Sequence, residues 1–159
     1  MINSIYLAKY RAEFVKMIAD NSKEVSDNHS RLHANVIIQE LVRHAEEFVY
    51  IQCSNFAHDI YGNPETKAII RNALLLGRNV KIFVRNAIQE VGFAAELNDM
   101  KEGTVLSNKS VSELDFCVTD SYRYRQEVDK EKGMAKVCAN GREVADQLVE
   151  CFERGLEHA

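Results

Sequence analysis

The chain reads as an α/β protein: a mixed β-sheet flanked by helices, with an extra helix ahead of the core. Three observations predict this. Helical and strand-like periodicities alternate from residue 31 onward, a glycine joins one helix directly to the strand after it, and the later segments turn to strands in hairpin order before a closing helix. Helix–strand–helix–strand order predicts parallel neighbours with right-handed crossovers, and the hairpin adds antiparallel strands.

Taking the elements in order, Ile5, Tyr6, Tyr10, Phe14, Met17 and Ile18 recur at three- and four-residue intervals, which predicts a helix over 3–20. The polar DNSKEVSDNHS reads as a connection. Ser30 or Asn28 then caps a helix over 31–46, with Val36, Ile37, Leu41 and Val42 inward. FVYIQC, residues 48–53, is β-branched and aromatic and reads as a buried strand; SNFAHDIYGNPE follows as a loop punctuated by Asn63-Pro64. A helix over 65–76 ends at Gly77, and NVKIFVRN is a strand. AIQEVGFAAELND reads as helical through Gly92, and TVLS as a short strand. DFCVTDSYRYRQE gives two strands about a turn at Asp120-Ser121. Arg123, Arg125 and Glu127 share one face of the second strand, and Tyr122, Tyr124 and Val128 suit a half-buried core side. MAKVCAN is a strand ending at Asn140-Gly141. An amphipathic helix over 142–157 closes the chain with Val144, Leu148, Val149, Phe152 and Leu156.

A length of 159 residues fits one domain over 1–159, of which 1–30 are the N-terminal helix and connection and 31–159 the core. Hydrophobic content of 46% and charged content of 28% are those of a globular protein. The net charge of −4 argues against a broadly basic nucleic-acid surface, so nucleic acid is the less favoured partner, although a local basic groove stays open. There is no signal-peptide pattern and no apolar run approaching the roughly 18 residues of a membrane span, so the expectation is a cytoplasmic protein with no membrane partner. Cys53, Cys117, Cys138 and Cys151 lack paired spacing, which favours buried free thiols over disulfides or zinc. His29 and His33 are four apart but have no third ligand at a matching offset, so no metal site and no cofactor are expected.

Three blocks resemble the phospholipase D-like (HKD) superfamily, in that family's order. IIQELVRHAEEFVYIQCSNF is similar to its opening helix and strand, and ETKAIIRNALLLGRNVKIFVRN to its helix–Gly–strand unit. LDFCVTDSYRYRQEVD with AKVCANGREVADQLVECFERG is similar to its hairpin, next strand and terminal helix. Together they span roughly residues 36 to 156. The resemblance implies a motif of His, Lys two residues on and Asp five further, two copies of which meet at one phosphodiesterase site within a long chain or across a dimer. Aligned on Asp120, the His position holds Glu113 and the Lys position Asp115; Glu127-Val128 replaces the expected Gly-Ser. A carboxylate attacks an anionic phosphodiester poorly, and a second one repels it. The resemblance therefore implies a single degenerate copy lacking the catalytic His and Lys, with Asp120 kept as a turn residue whose carboxylate accepts local backbone hydrogen bonds.

The expected function is a non-catalytic binding or regulatory module. A single copy implies a homodimer, which would recognise a phosphate-bearing small ligand or a protein partner. Its ligand-binding candidates are Asn55 and His58 after the first strand, Arg85 at the end of the second, and Arg123 and Arg125 on the hairpin. For each arginine the competing reading is an internal ion pair, with Asp115 the cross-strand carboxylate offered to Arg123 and Arg125. No catalytic residue is assigned under this reading. The alternatives are a divergent phosphodiesterase or nuclease using His58, and an interaction subunit of a larger enzyme.

Overall fold

The computed structural model describes residues 2–54, 61–86, 92–107 and 112–157. Seven strands of these residues form one sheet: β1 (Val25–Asn28), β2 (Phe48–Cys53), β3 (Asn79–Val84), β4 (Val105–Ser107), β5 (Phe116–Thr119), β6 (Arg123–Asp129) and β7 (Met134–Cys138). Their order is β1-β7-β6-β5-β2-β3-β4. β2 is parallel to β3 and β3 to β4, and every other pair is antiparallel. The sheet is therefore mixed, as the element order predicts.

Among the described residues five helices flank it: α1 (Ile2–Ala19), α2 (Arg31–Arg43), α3 (Pro64–Leu75), α4 (Phe93–Met100) and α5 (Arg142–Glu157). Alternation along the strands divides the core between two faces. Val49, Ile51, Cys53, Val80, Ile82, Val84, Cys117 and Val137 pack against α1 to α4. Tyr50, Phe83, Phe116, Val118, Tyr124 and Cys138 pack against Ala145, Leu148 and Phe152 of α5, with the Phe152 ring stacked on Tyr50 at 4.5 Å.

Helix ends follow from local chemistry. Ser30 caps α2 by accepting the His33 amide at 3.2 Å, and Asn63 caps α3 through the Glu65 and Thr66 amides with Pro64 in the first turn. Gly77 ends α3 at φ +82°: its amide bonds Leu74 O and the Arg78 amide bonds Ala73 O, a Schellman closure.

Three expectations are corrected. The polar stretch before α2 is not only a connection, because Val25–Asn28 pairs with β7 as edge strand β1. Gly92 is not internal to a helix: at φ +120° it stands outside α-helical geometry, and α4 starts at Phe93; the expected helical residues 87–91 lie outside the described residues. The second helix stops at Arg43 rather than 46: the Ala45 amide tightens onto Val42 O, and the amides of Glu46, Glu47 and Phe48 turn to the Asp120 side chain in the hairpin. His29 precedes the α2 cap, so it and His33 do not share a helix face, and among the described residues no group of His, Cys, Asp and Glu is placed to hold a metal ion. Cys53, Cys117 and Cys138 are buried free thiols, and burial pushes Cys53 and Cys117 up to about 12.

Candidate functional site

In open α/β sheets ligands collect where parallel strands end, and β2 and β3 end together here. The Arg85 amide bonds Cys53 O and the Asn86 amide bonds Ser54 O, so the ladder carries Ser54 and Arg85 side by side just past the sheet. β5 runs antiparallel to β2, which brings its approach segment, Ser112 to Asp115, to the same edge. β6 is antiparallel to β5 in turn, so Glu127, Asp129 and the following Lys130 arrive there too.

Arg85 organises this edge. Its Nη1 donates to Ser112 O at 2.9 Å and Leu114 O at 3.0 Å, and its Nη2 donates to Ser54 Oγ and to Asp115 Oδ1. The Arg85 and Asp115 side chains are only 11% and 13% exposed, so the pair is largely desolvated. Lys130 Nζ donates to Glu113 O at 2.6 Å and lies 3.5 Å from Asp115 Oδ1. Gln52 Nε2 holds the same segment from beneath, through Ser112 O, Ser112 Oγ and Leu114 O, while its buried Oε1 has no partner. The Glu127 amide bonds Asp115 O at 2.9 Å. Two cations thus converge on one carboxylate. Burial lowers the pKa of both Arg85 and Lys130, and proximity to Arg85 further lowers that of Lys130.

Glu127 faces the same surroundings with the opposite sign. Burial raises its carboxyl above the ordinary 4.5, and attraction to Arg125, Lys130, Arg31 and Arg85 offsets that only in part. A carboxyl raised in the folded state weakens folding once it is ionised. That penalty is complete above the folded-state value and fades as pH falls toward 4.5. Glu127→Gln is therefore expected to melt above the parent protein at pH 7, with the gap closing as pH drops through that window. Melting curves taken across the window test this, and a gap that does not vary with pH would contradict it.

The five expected ligand residues are not brought to one place. Asn55 and His58 lie outside the described residues. Arg85 stands at the edge just described. Arg123 pairs across to Thr119, which pairs to Val49, so it belongs to the opposite edge. Its Nη1 reaches His44 O at 3.5 Å beyond the end of α2, its Cζ lies 4.6 Å from the centre of the Tyr122 ring, and its buried Nε has no partner. Arg125 is inside the sheet–α2 layer at 2% exposure, donating from Nε to Asn28 Oδ1 at 2.8 Å and from Nη2 to Gly133 O at 3.2 Å. The shared face of Arg123 and Arg125 was readable, but it is a buried face, covered by α2, with the Asn28 side chain at the end of β1 reaching Arg125. Val128, expected on a half-buried side, is 58% exposed. Asp115 pairs with Arg85 and Lys130 rather than with either hairpin arginine.

Asp120 does accept backbone hydrogen bonds, but not local ones. Its Oδ2 accepts from the Glu46 amide at 2.8 Å and its Oδ1 from those of Glu47 at 2.9 Å and Phe48 at 3.1 Å, 72 to 74 residues away. Sequence reasoning passed over Ser112, Lys130 and Gln52. Lys130 had a usable signal: the far turn of the β6–β7 hairpin must fall at the edge where β2 and β3 end.

Neither a family model nor a curated protein matches the chain. Solved structures do resemble it. TrmBL2, an archaeal chromatin protein whose structure shows a novel mode of DNA binding, superposes with a TM-score of 0.67 at 17% identity over 99% of this chain, and this chain spans 64% of TrmBL2. Nuc, a phospholipase D family member from Salmonella typhimurium, gives a TM-score of 0.59 at 14% identity, covering 84% of this chain and 95% of its own. NucT from Helicobacter pylori gives 0.59 and 14%, covering 84% and 97%. The fold is phospholipase D-like.

Proposed function

We propose that the chain is a non-catalytic binding or regulatory module on a phospholipase D-like scaffold, working as a homodimer. One observation carries the reading. Glu113 and Asp115 stand where the resemblance calls for His and Lys, and Asp115 is ion-paired with Arg85 at the strand ends where a substrate phosphate would sit. A phosphodiesterase needs a nucleophile and positive charge free to receive phosphate oxygens. Here Arg85 and Lys130, the cations that meet Asp115 among the described residues, are already engaged by the chain's own carboxylate and carbonyls. The likeness to a chromatin protein over 99% of the chain supports a binding role over a catalytic one. The net charge of −4 makes a small phosphate-bearing ligand or a protein partner a better fit than a nucleic acid.

The test is turnover of bis-p-nitrophenyl phosphate and of single-stranded and duplex DNA, with His58→Ala in parallel. No hydrolysis above a buffer blank is the expected result. Hydrolysis that disappears in His58→Ala would establish the competing phosphodiesterase reading instead. Analytical ultracentrifugation of the parent protein tests the dimer, which a purely monomeric profile at micromolar concentration would exclude.

A further inference from the structure

Ser54, Arg85 and Lys130 form a seat for an anion. Arg85 presents Nη2, Lys130 presents its ammonium, and the Ser54 hydroxyl, which accepts from Arg85, keeps its own proton free to donate. Arg85 Nη2 joins them: it donates to Ser54 Oγ and to Asp115 Oδ1, and the same carboxylate oxygen lies 3.5 Å from Lys130 Nζ. A buried ion pair of this kind contributes little net stability, since desolvating both charges costs about what their attraction returns. Its geometry suits a different role. Asp115 meets both cations through the single oxygen Oδ1, and one oxygen of a phosphate carries the same charge and acceptor capacity to Arg85 Nη2 and Lys130 Nζ.

We propose that the Asp115 carboxylate is a built-in anion that keeps this seat closed, and that a phosphate-bearing small molecule binds Arg85, Ser54 and Lys130 by displacing it. The inference rests on the non-catalytic reading above and adds its ligand class and its regulation. Displacement has a structural consequence. Asp115 ends the segment that Arg85 and Gln52 hold through Ser112 O and Leu114 O, so ligand entry loosens the approach to β5. The buried, unpartnered Gln52 Oε1 marks that segment as imperfectly satisfied in the closed form. Among the described residues the edge also carries Glu113, whose side chain is exposed, and the half-buried Glu127 and Asp129; none of these carboxylates hydrogen-bonds Arg85 or Lys130, and Asp129 Oδ1 accepts from the Lys132 amide.

The experiment titrates inorganic phosphate, at constant ionic strength, into the parent chain, Asp115→Ala, Asp115→Asn and the double variant Asp115→Ala/Arg85→Ala, by calorimetry and thermal shift. A self-occupied seat lowers apparent affinity by the fraction of molecules that are open. Removing Asp115 is therefore expected to tighten phosphate binding at least about tenfold if the parent is closed nine times in ten. The double variant is expected to lose the gain. Should Asp115→Ala fail to melt cooperatively, Asp115→Asn decides, because it keeps the shape and removes the charge. A folded Asp115 variant that responds to phosphate like the parent overturns the proposal, as does a gain that survives loss of Arg85. Either result leaves the non-catalytic reading standing, whereas phosphodiester turnover by the parent removes that reading without altering the phosphate titrations.

Discussion

Asp120→Ala is expected to lower the unfolding free energy by about 3–5 kcal/mol, the largest effect of any single substitution in the hairpin. Its carboxylate is the common acceptor for three consecutive amides at the α2–β2 junction, those of Glu46, Glu47 and Phe48. Hydrogen bonds to a charged acceptor contribute about 1.5–3 kcal/mol each, and water can replace part of that at the exposed Glu46 and Glu47. Backbone geometry adds to the cost. Asp120 and Ser121 stand at φ +56° and +61°, a type I′ hairpin turn, and Ala tolerates that region worse than Asp. Asp120→Gly separates the two contributions, since it removes the carboxylate but accepts the positive φ; it should be about 1 kcal/mol milder than Ala. Asp120→Asn should lie between Gly and the parent, because one acceptor oxygen remains. Urea unfolding of the three variants checks the order. A loss below about 1 kcal/mol for Ala would show that the junction does not depend on this carboxylate.

Arg125→Ala is the second large effect, expected at about 3–4 kcal/mol. The substitution leaves a cavity between the sheet and α2 and strips Asn28 Oδ1 and Gly133 O of their donor. Arg125→Met fills most of the volume and removes a buried cation, so it should cost less than half as much. The loss has a location as well as a size. Asn28 ends β1 and also donates from Nδ2 to Ser30 O at 2.8 Å, so Arg125 connects the edge strand to the cap of α2. Hydrogen exchange at Ser26, Asp27 and Asn28 should accelerate in both variants ahead of exchange in β2 and β3. Uniform acceleration through the sheet would contradict a local latch.

The contrast between Arg85 and Arg125 shows what the sequence could and could not carry. Strand alternation placed Arg123 and Arg125 on one face, and the register Cys117↔Arg125 and Thr119↔Arg123 agrees. Whether that face is wet depends on what covers it, and one partner of Arg125, Asn28 at the end of β1, came from the polar VSDN, which has no strand-like apolar alternation. An edge strand supported by backbone pairing and by an Asp27–Lys136 contact at 2.5 Å needs little apolar side chain of its own, so hydrophobic periodicity is silent there. Arg85 was legible for the opposite reason: its place follows from topology alone, since a residue directly after a parallel strand must emerge at the ligand edge. Its partner was not legible, because choosing among Asp115, Glu113 and Glu127 requires side-chain reach rather than strand order. Asp120 was recognised as a turn residue from its type, but its three acceptor bonds reach 72 to 74 residues back, beyond any local pattern.

The pairing of β1 with β7 also sets an order of assembly. Asp27 meets Lys136 across 109 residues of chain, so a ribosome must deliver β7 before β1 has anything to pair with. The antiparallel run β5–β6–β7 and the crossover β2–α3–β3 close on shorter loops and can form first. During synthesis the polar VSDN therefore waits in water for more than a hundred residues. A segment written with Ser, Asp and Asn can wait without recruiting strangers to its unpaired edge, which a stretch of Val and Ile could not.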